Sequence, residues 1–319
     1  MFVIHFFETL FFAPRWYHYP FIVLLSPFSL VYGIVMSIRR SLMKKKKFDI
    51  PIVSVGNLVV GGSGKTPFVI ALASRYKHAA IISRGYGRQS RGLIEISKEG
   101  RILSDVHQSG DEAMVMAESL SECSVIVSED RHKAIDFAIG QGAKLIILDD
   151  GFNRAEIEKF EILLEPPHMP NVLPFPAGPL REFYWNRKYA DIIATEEQHF
   201  TRHVYIENPT SQMVLVTAIS NPKRLEPFLQ KSGVVERVYL KDHAYFQEAA
   251  LQKILKEFKA TSLLCTTKDK VKMKGFKLPI SEMKLKLEIK DHIFESVDAY
   301  IKKEHEKQTA KIKNTKRGK

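Results

Sequence analysis

Ile52-Val53-Ser54-Val55-Gly56-Asn57-Leu58-Val59-Val60-Gly61-Gly62-Ser63-Gly64-Lys65-Thr66-Pro67-Phe68-Val69-Ile70-Ala71-Leu72-Ala73 reads as an apolar strand, a glycine-rich turn and a helix. That order is what a phosphate-binding loop requires. Glycines let backbone N–H groups turn inward, and the following helix N-terminus adds positive potential where phosphate oxygens sit. Gly61, Gly62, Ser63, Gly64, Lys65, Thr66 and Pro67 are therefore the candidate nucleotide-binding residues. Lys65 is placed to reach the β- and γ-phosphates, and Thr66 to hold Mg²⁺ through its hydroxyl. Pro67 suits the first helical position, where no N–H is needed. The first glycine of the general G-x-x-x-x-G-K-[ST] pattern is replaced by Val59.

Working outward, the chain is 319 residues long, 45% hydrophobic and 26% charged, which suits packed domains and excludes disorder as its main state. Cys123 and Cys265 stand far apart, in no metal-ligand spacing, so a reducing compartment without a disulfide framework is expected. The net charge of +12 is unevenly placed. Residues 39–47 carry six positive charges and no negative one, residues 302–319 carry eight Lys/Arg against two Glu, and residues 48–301 balance. A neutral body with basic flanks argues against a nucleic-acid-binding face and for an anionic surface met by the flanks.

Residues 20–38 contain no charge and are followed by Arg39-Arg40 and then Lys44 to Lys47, with eight aromatic residues upstream between Phe2 and Tyr19. The basic residues follow the apolar run instead of preceding it, which excludes a cleaved signal peptide of ordinary design. Two membrane readings stay open. Nineteen uncharged residues are long enough to span, with the body left in the cytoplasm. Pro27, Gly33 and the serines suit a helix lying in the interface equally well.

Beyond the loop, short apolar runs alternate with helical patterns. Strands are expected at 79–83, 124–127 and 144–148, and helices at 109–120 and 130–141. Continuous buried-type strands between helices predict a doubly wound, mostly parallel α/β sheet, with ligands at the strands' carboxyl ends. A second, smaller α/β domain is expected from strands at 213–217, 234–240 and 262–266 and helices at 221–230 and 247–258. The expected organisation is a membrane segment at 1–47, a phosphate-loop domain at 48–208, a smaller domain at 209–301 and a basic, disordered tail at 302–319. Residues 173–186 read as a proline-rich loop.

Asp149 and Asp150 end an apolar strand, the place of the acidic residue that organises Mg²⁺ in phosphate-loop enzymes. Asp111, in Gly110-Asp111-Glu112-Ala113, reads equally as a helix cap or as a functional acid. His243, in Lys241-Asp242-His243-Ala244, reads equally as structural or catalytic. Arg84, Arg88, Arg131 and Arg181 are single-arginine candidates for phosphate contacts.

Taken in order, these motifs resemble the tetraacyldisaccharide 4′-kinases, the lipid A 4′-kinases. The resemblance rests on Val55-Gly56-Asn57-Leu58, Gly61 to Pro67, Ser83-Arg84-Gly85-Tyr86-Gly87-Arg88, Gly110-Asp111-Glu112, Asp149-Asp150-Gly151-Phe152, Pro176-Ala177-Gly178-Pro179-Leu180-Arg181-Glu182 and Asp242-His243. It covers nearly the whole chain. That family also lacks a glycine at the position of Val59.

The resemblance implies phosphorylation of the 4′-hydroxyl of a tetraacylated glucosamine disaccharide 1-phosphate, using ATP and Mg²⁺ on the cytoplasmic face of the bacterial inner membrane. It implies Asp111 as the base, supported by His243 from the second domain once the two domains close. It also implies Lys65 at the transferred phosphoryl group, and Thr66, Asp149 and Asp150 at the metal. It points to no protein partner. Two departures stand out: Asn153-Arg154 replaces the family's Gln-His, and Thr266-Thr267-Lys268-Asp269 replaces Thr-Glu-Lys-Asp. The rival reading is a membrane-tethered nucleotide switch. A guanine-reading Asn-Lys-x-Asp would favour it, and Thr267-Lys268-Asp269-Lys270 has its acid at the wrong spacing.

Overall fold

The computed structural model describes residues 2–61, 64–230 and 232–317, with side chains from residue 6 to residue 310. Two apolar helices, α1 (Phe2–Phe12) and α2 (Tyr19–Leu42), precede strand β1 (Ile52–Gly56) and helix α3 (Lys65–Ala73). Strands β2 (Ala79–Ser83), β3 (Ile94–Lys98) and β4 (Arg101–Ile102) lead to helices α4 (Val106–Ser109) and α5 (Asp111–Ser119). Then come β5 (Ser124–Val127), α6 (Arg131–Gly140), β6 (Leu145–Asp149), β7 (Phe160–Glu165), β8 (Ile192–Thr195) and β9 (Phe200–Glu207). The chain continues through β10 (Met213–Thr217), β11 (Val234–Tyr239), α7 (Glu248–Glu257), β12 (Ser262–Thr266), α8 (Thr267–Lys270) and β13 (Ile280–Ile289) to α9 (Asp291–Arg317).

Two compact units result, each gathered from segments distant in sequence. The first takes residues 1–65, 144–200 and 289–319. Its strands run in the order β6-β1-β7-β8, all parallel. β1 and β6 are wholly buried, which is why they read as unbroken apolar runs. The register sets Val55 against Asp149, so the strand leading to the glycine loop and the strand ending in the aspartates finish side by side.

The second unit takes residues 66–143 and 201–288. In it β2 pairs parallel with β5, and β3 runs antiparallel to β5 and β4. A five-stranded sheet has the order β11-β10-β12-β13-β9, with the pairs β10–β11, β10–β12 and β12–β13 parallel. Leu251 of α7 and Met273 pack against Val214, Val216 and Leu263 of its strands, all buried. The fold is therefore mixed α/β with parallel strands, as expected from the alternating pattern.

Three local expectations are corrected. Residues 302–317 continue α9 where a disordered tail is expected. The helix holds because Ile293 and Val297 are fully buried, Tyr300 stacks near Phe160, and Glu304 pairs with Lys47 at 2.8 Å. Lys319, with Gly318, lies outside the described residues. The helix expected at 221–230 is a 3-10 segment, Pro222–Phe228, and Pro227, which has no N–H to donate, stands one residue before its end. Strand β9 begins at Phe200, earlier than the expected start of the smaller domain.

The apolar N-terminus is docked on one face only. Trp16–Leu42 is long and apolar enough to cross a bilayer. Gly33 meets the Phe183 ring so closely that an added Cβ would lie about 2.5 Å from it. Ser29 Oγ accepts a hydrogen bond from the Ala177 N–H at 2.8 Å. One turn from the end, Arg40 forms a bidentate pair with Glu182 at 2.8 Å and donates to the Phe152 carbonyl. The glycine and serines that interrupt the apolar run thus form its protein-facing stripe. Phe21, Leu24, Phe28, Val31 and Ile38 remain exposed on the other side.

Candidate active site

Within the first unit, the phosphate loop is built around Val59. Val59 is buried and bridged to Leu180, with Val60 N–H donating to the Pro179 carbonyl and Arg181 N–H to the Leu58 carbonyl. Leu58, Val59, Phe152, Leu163 and Leu180 pack as one cluster. A side chain at position 59 is therefore core, and the pairing it anchors delivers Arg181 to the site. Gly61 and Gly64 adopt positive φ, which glycine alone tolerates freely. Gly62 and Ser63 lie outside the described residues. Pro67 is the third residue of α3, still in the first turn where an N–H has no helical partner.

Lys65 Nζ donates to Asn57 Oδ1 at 3.0 Å and lies 3.5 Å from Asp150. Arg181 grips both oxygens of Asp150, at 2.9 and 2.8 Å. Burial pushes the Asp150 carboxyl up, but Lys65 and Arg181 outweigh it and hold it below its usual value. Asp149, buried at the end of β6, and Thr66, buried in α3, are oxygen donors of the hard kind that Mg²⁺ takes. Asn57 belongs to the Val55–Leu58 motif, in which the sequence alone gives it no role. Its amide Nδ2 is buried with no partner, an orphan donor beside the Lys65 ammonium that suits an anion.

The second unit holds a buried carboxylate paired with an imidazole. Asp111 is the first residue of α5, after Gly110, and is buried. Its Oδ1 accepts the Glu112 N–H at 2.8 Å, and His243 Nδ1 donates to Oδ2 at 2.9 Å. The two side chains are already in contact in this structure, within one compact unit. His243 sits in the left-handed region, its N–H fixed to the Ala218 carbonyl. Gly87, at positive φ, leaves the imidazole room at a distance a Cβ would cut to 3.4 Å, and Tyr86 packs on the ring.

Burial alone would raise the Asp111 pKa. The His243 hydrogen bond and charge, with Lys268 and Lys272, lower it overall. His243 is raised, chiefly by its hydrogen bond to Asp111, against the opposing effect of burial. Lys268 pairs with Glu112, and Lys272 stands 3.7 Å from Asp111. Neither lysine was assigned from sequence; the four-residue element carrying Lys268 was noticed only as a departure.

The other arginines divide. Arg88 is consumed by Glu129 at 2.5 Å and the Gly92 carbonyl at 2.7 Å, and Arg131 bonds the Ser128 carbonyl, so both serve local loops. Arg84 is exposed.

A phosphate loop with its lysine, a strand-end aspartate pair and a buried carboxylate–imidazole pair define a phosphate-loop phosphotransferase with an apolar N-terminal helix. The family model described as tetraacyldisaccharide-1-P 4′-kinase matches residues 21–304. A tetraacyldisaccharide 4′-kinase of Helicobacter acinonychis is 45% identical over 93% of this chain and 95% of the relative. One of Aliarcobacter butzleri is 42% identical over 92% and 96%. A crystal structure of LpxK from Aquifex aeolicus in complex with ATP superposes with a TM-score of 0.74 at 27% identity, covering 88% of this chain and 99% of that one. The chain belongs to the tetraacyldisaccharide-1-P 4′-kinase family, and is a kinase.

The Asp111–His243 pair makes stability pH-dependent. The raised His243 contributes fully below its ordinary value of 6.5, and its share fades as pH rises through the raised value. The lowered Asp111 contributes fully above its ordinary value of 3.8, fading as pH falls through the lowered one. Wild type should therefore exceed His243→Gln in thermal midpoint most between about pH 4 and 6.5, with the gap shrinking at alkaline pH. A gap that stays constant from pH 5 to 9 would show that the pair is not ionic.

Proposed function

We propose that this chain transfers the γ-phosphoryl group of ATP to the 4′-hydroxyl of a tetraacylated glucosamine disaccharide 1-phosphate, at the cytoplasmic face of the bacterial inner membrane. The observation that carries the reading is the Asp111–His243 pair at 2.9 Å. A sugar hydroxyl is a poor nucleophile until its proton has somewhere to go. Asp111, ionised and with one oxygen already committed to His243, accepts that proton while the 4′-oxygen bonds to phosphorus and the bond to ADP breaks. His243 orients the carboxylate and, when protonated, carries the positive charge that keeps it anionic.

Lys65 neutralises charge on the transferred group, aided by Arg181. Both now rest on Asp150, and an entering phosphate offers them stronger partners. Asp149, Thr66 and Asp150 would hold Mg²⁺, which supplies charge neutralisation at the phosphates. Positioning and electrostatics carry most of such a reaction.

The anchor reading favours α2 lying in the interface. Its contacts through Ser29, Gly33 and Arg40 tie about half its length to the body, and a helix so tied cannot cross the ~30 Å apolar layer by itself. The exposed apolar face, with Lys44 to Lys47 beyond it, would meet acyl chains and anionic headgroups.

In detergent micelles with defined acceptor, Asp111→Asn should lower kcat by about 10²- to 10⁴-fold while KM for ATP stays near wild type. Retained turnover would remove Asp111 as the base; lost nucleotide binding would make it structural. A cysteine at Trp16, which is 81% exposed, should react with an impermeant maleimide added to the cytoplasmic side of membrane vesicles. Labelling from the periplasmic side alone would mean that the helix crosses.

A further inference from the structure

Lys272 lies in the 3-10 turn Val271–Met273 after α8, with its side chain only 2% exposed. Its ammonium makes no hydrogen bond. It stands 3.4 Å from Asp269 Oδ1 and 3.7 Å from Asp111 Oδ2, and 5.4 Å from the centre of the Phe246 ring. An ammonium withdrawn from water is costly unless counter-charges surround it, so a lysine in this place is held for its charge.

Asp269 is fully buried and tightly fixed. It accepts from Thr217 Oγ1 at 2.6 Å, Thr266 Oγ1 at 2.8 Å and the Ala218 N–H at 3.0 Å. The Ala218 carbonyl in turn accepts the His243 N–H. One carboxylate therefore braces both the loop that presents His243 and the cation that faces Asp111.

We propose that Lys272 is a positioning residue for the acceptor base: its ammonium, held by Asp269, keeps the Asp111 carboxylate charged and turned beside His243. The proposal rests on the reading of Asp111 as the base. Around Asp111 stand Lys268 and Lys272 from the segment after β12, His243 and Asp242 from the loop after β11, Glu112 from α5, and Tyr245. Lys268 is shared with Glu112, and His243 loses its charge as pH rises. Lys272 is the cation that neither solvent nor an exposed partner screens.

The test is kcat against pH at saturating ATP, in the full-length enzyme in detergent, for Lys272→Met, Lys272→Arg, Asp269→Asn, Asp111→Asn and the Lys272→Met/Asp111→Asn double variant. Removing the cation favours the protonated, inactive carboxyl. Lys272→Met should thus move the acid limb up by about one pH unit, lower kcat about tenfold at pH values on that limb, and leave kcat near wild type at neutral and alkaline pH, with KM for ATP within about twofold. Lys272→Arg should keep the limb in place.

Asp269→Asn leaves the ammonium only Asp111 as counter-charge, so its acid limb should move down. It carries the test should Lys272→Met fail to fold. A merely structural role would not give opposite shifts. The double variant should be no slower than Asp111→Asn alone, because the lysine acts through that carboxylate. An unmoved limb in Lys272→Met, or in Asp269→Asn, overturns the proposal, as does a further loss in the double variant. If Asp111→Asn is inactive while Lys272→Met keeps the wild-type limb, the lysine role falls and the base stands. If Asp111→Asn is as active as wild type, the base reading itself falls.

Discussion

A carboxylate that is 6% exposed would ordinarily take up a proton, because burial penalises its charge. Asp111 does the reverse, and the hydrogen bond from His243 is the main reason. Much of the second unit serves that contact. Gly87 clears space for the imidazole, Asp269 fixes Ala218 and through it the His243 backbone, and Gly110 starts the helix at the acid itself. A buried carboxylate stays anionic only with cationic neighbours, and His243, Lys268 and Lys272 supply them.

The first unit solves a different problem, the storage of positive charge before phosphate arrives. Lys65 and Arg181 share Asp150, whose carboxylate offsets both positive charges. Arg40 extends the arrangement to the anchor: it binds Glu182, next to Arg181, and the carbonyl of Phe152, two residues after Asp150. The last turn of α2 is thus fastened to the segments on either side of Arg181 and Asp150.

Much of this was legible in the sequence because it is carried by local pattern. The strand, glycine loop and helix at 52–73, the buried strands β2, β5 and β6, and the apolar N-terminus all follow from periodicity and special residues. The motifs also gave Lys65, Asp111, His243 and the aspartate pair. What stayed hidden depends on pairing between distant segments. Val59 departs from the general loop pattern in agreement with the family, but the physical reason, its bridge to Leu180, is set by a distant segment. Gly33 and the serines of α2 looked like interruptions of an apolar run until Phe183 and Ala177 were seen against them. Lys272 could not be told from the chain's other lysines, since nothing local reveals that its ammonium is buried. The helical continuation past residue 302 was missed because its net charge masked the apolar stripe of Ile293, Val297 and Tyr300 that starts it.

The central claim is that the phosphoryl group goes to a sugar hydroxyl and not to water. The most direct measurement is phosphorus–proton correlation NMR of the product formed by wild-type protein from ATP, Mg²⁺ and the disaccharide 1-phosphate. The account predicts one new phosphomonoester signal, correlated with the ring proton at the 4′ carbon and equal in amount to the ADP formed. ADP accompanied only by inorganic phosphate, with the acceptor unchanged, would contradict it and return the chain to the class of nucleotide switches.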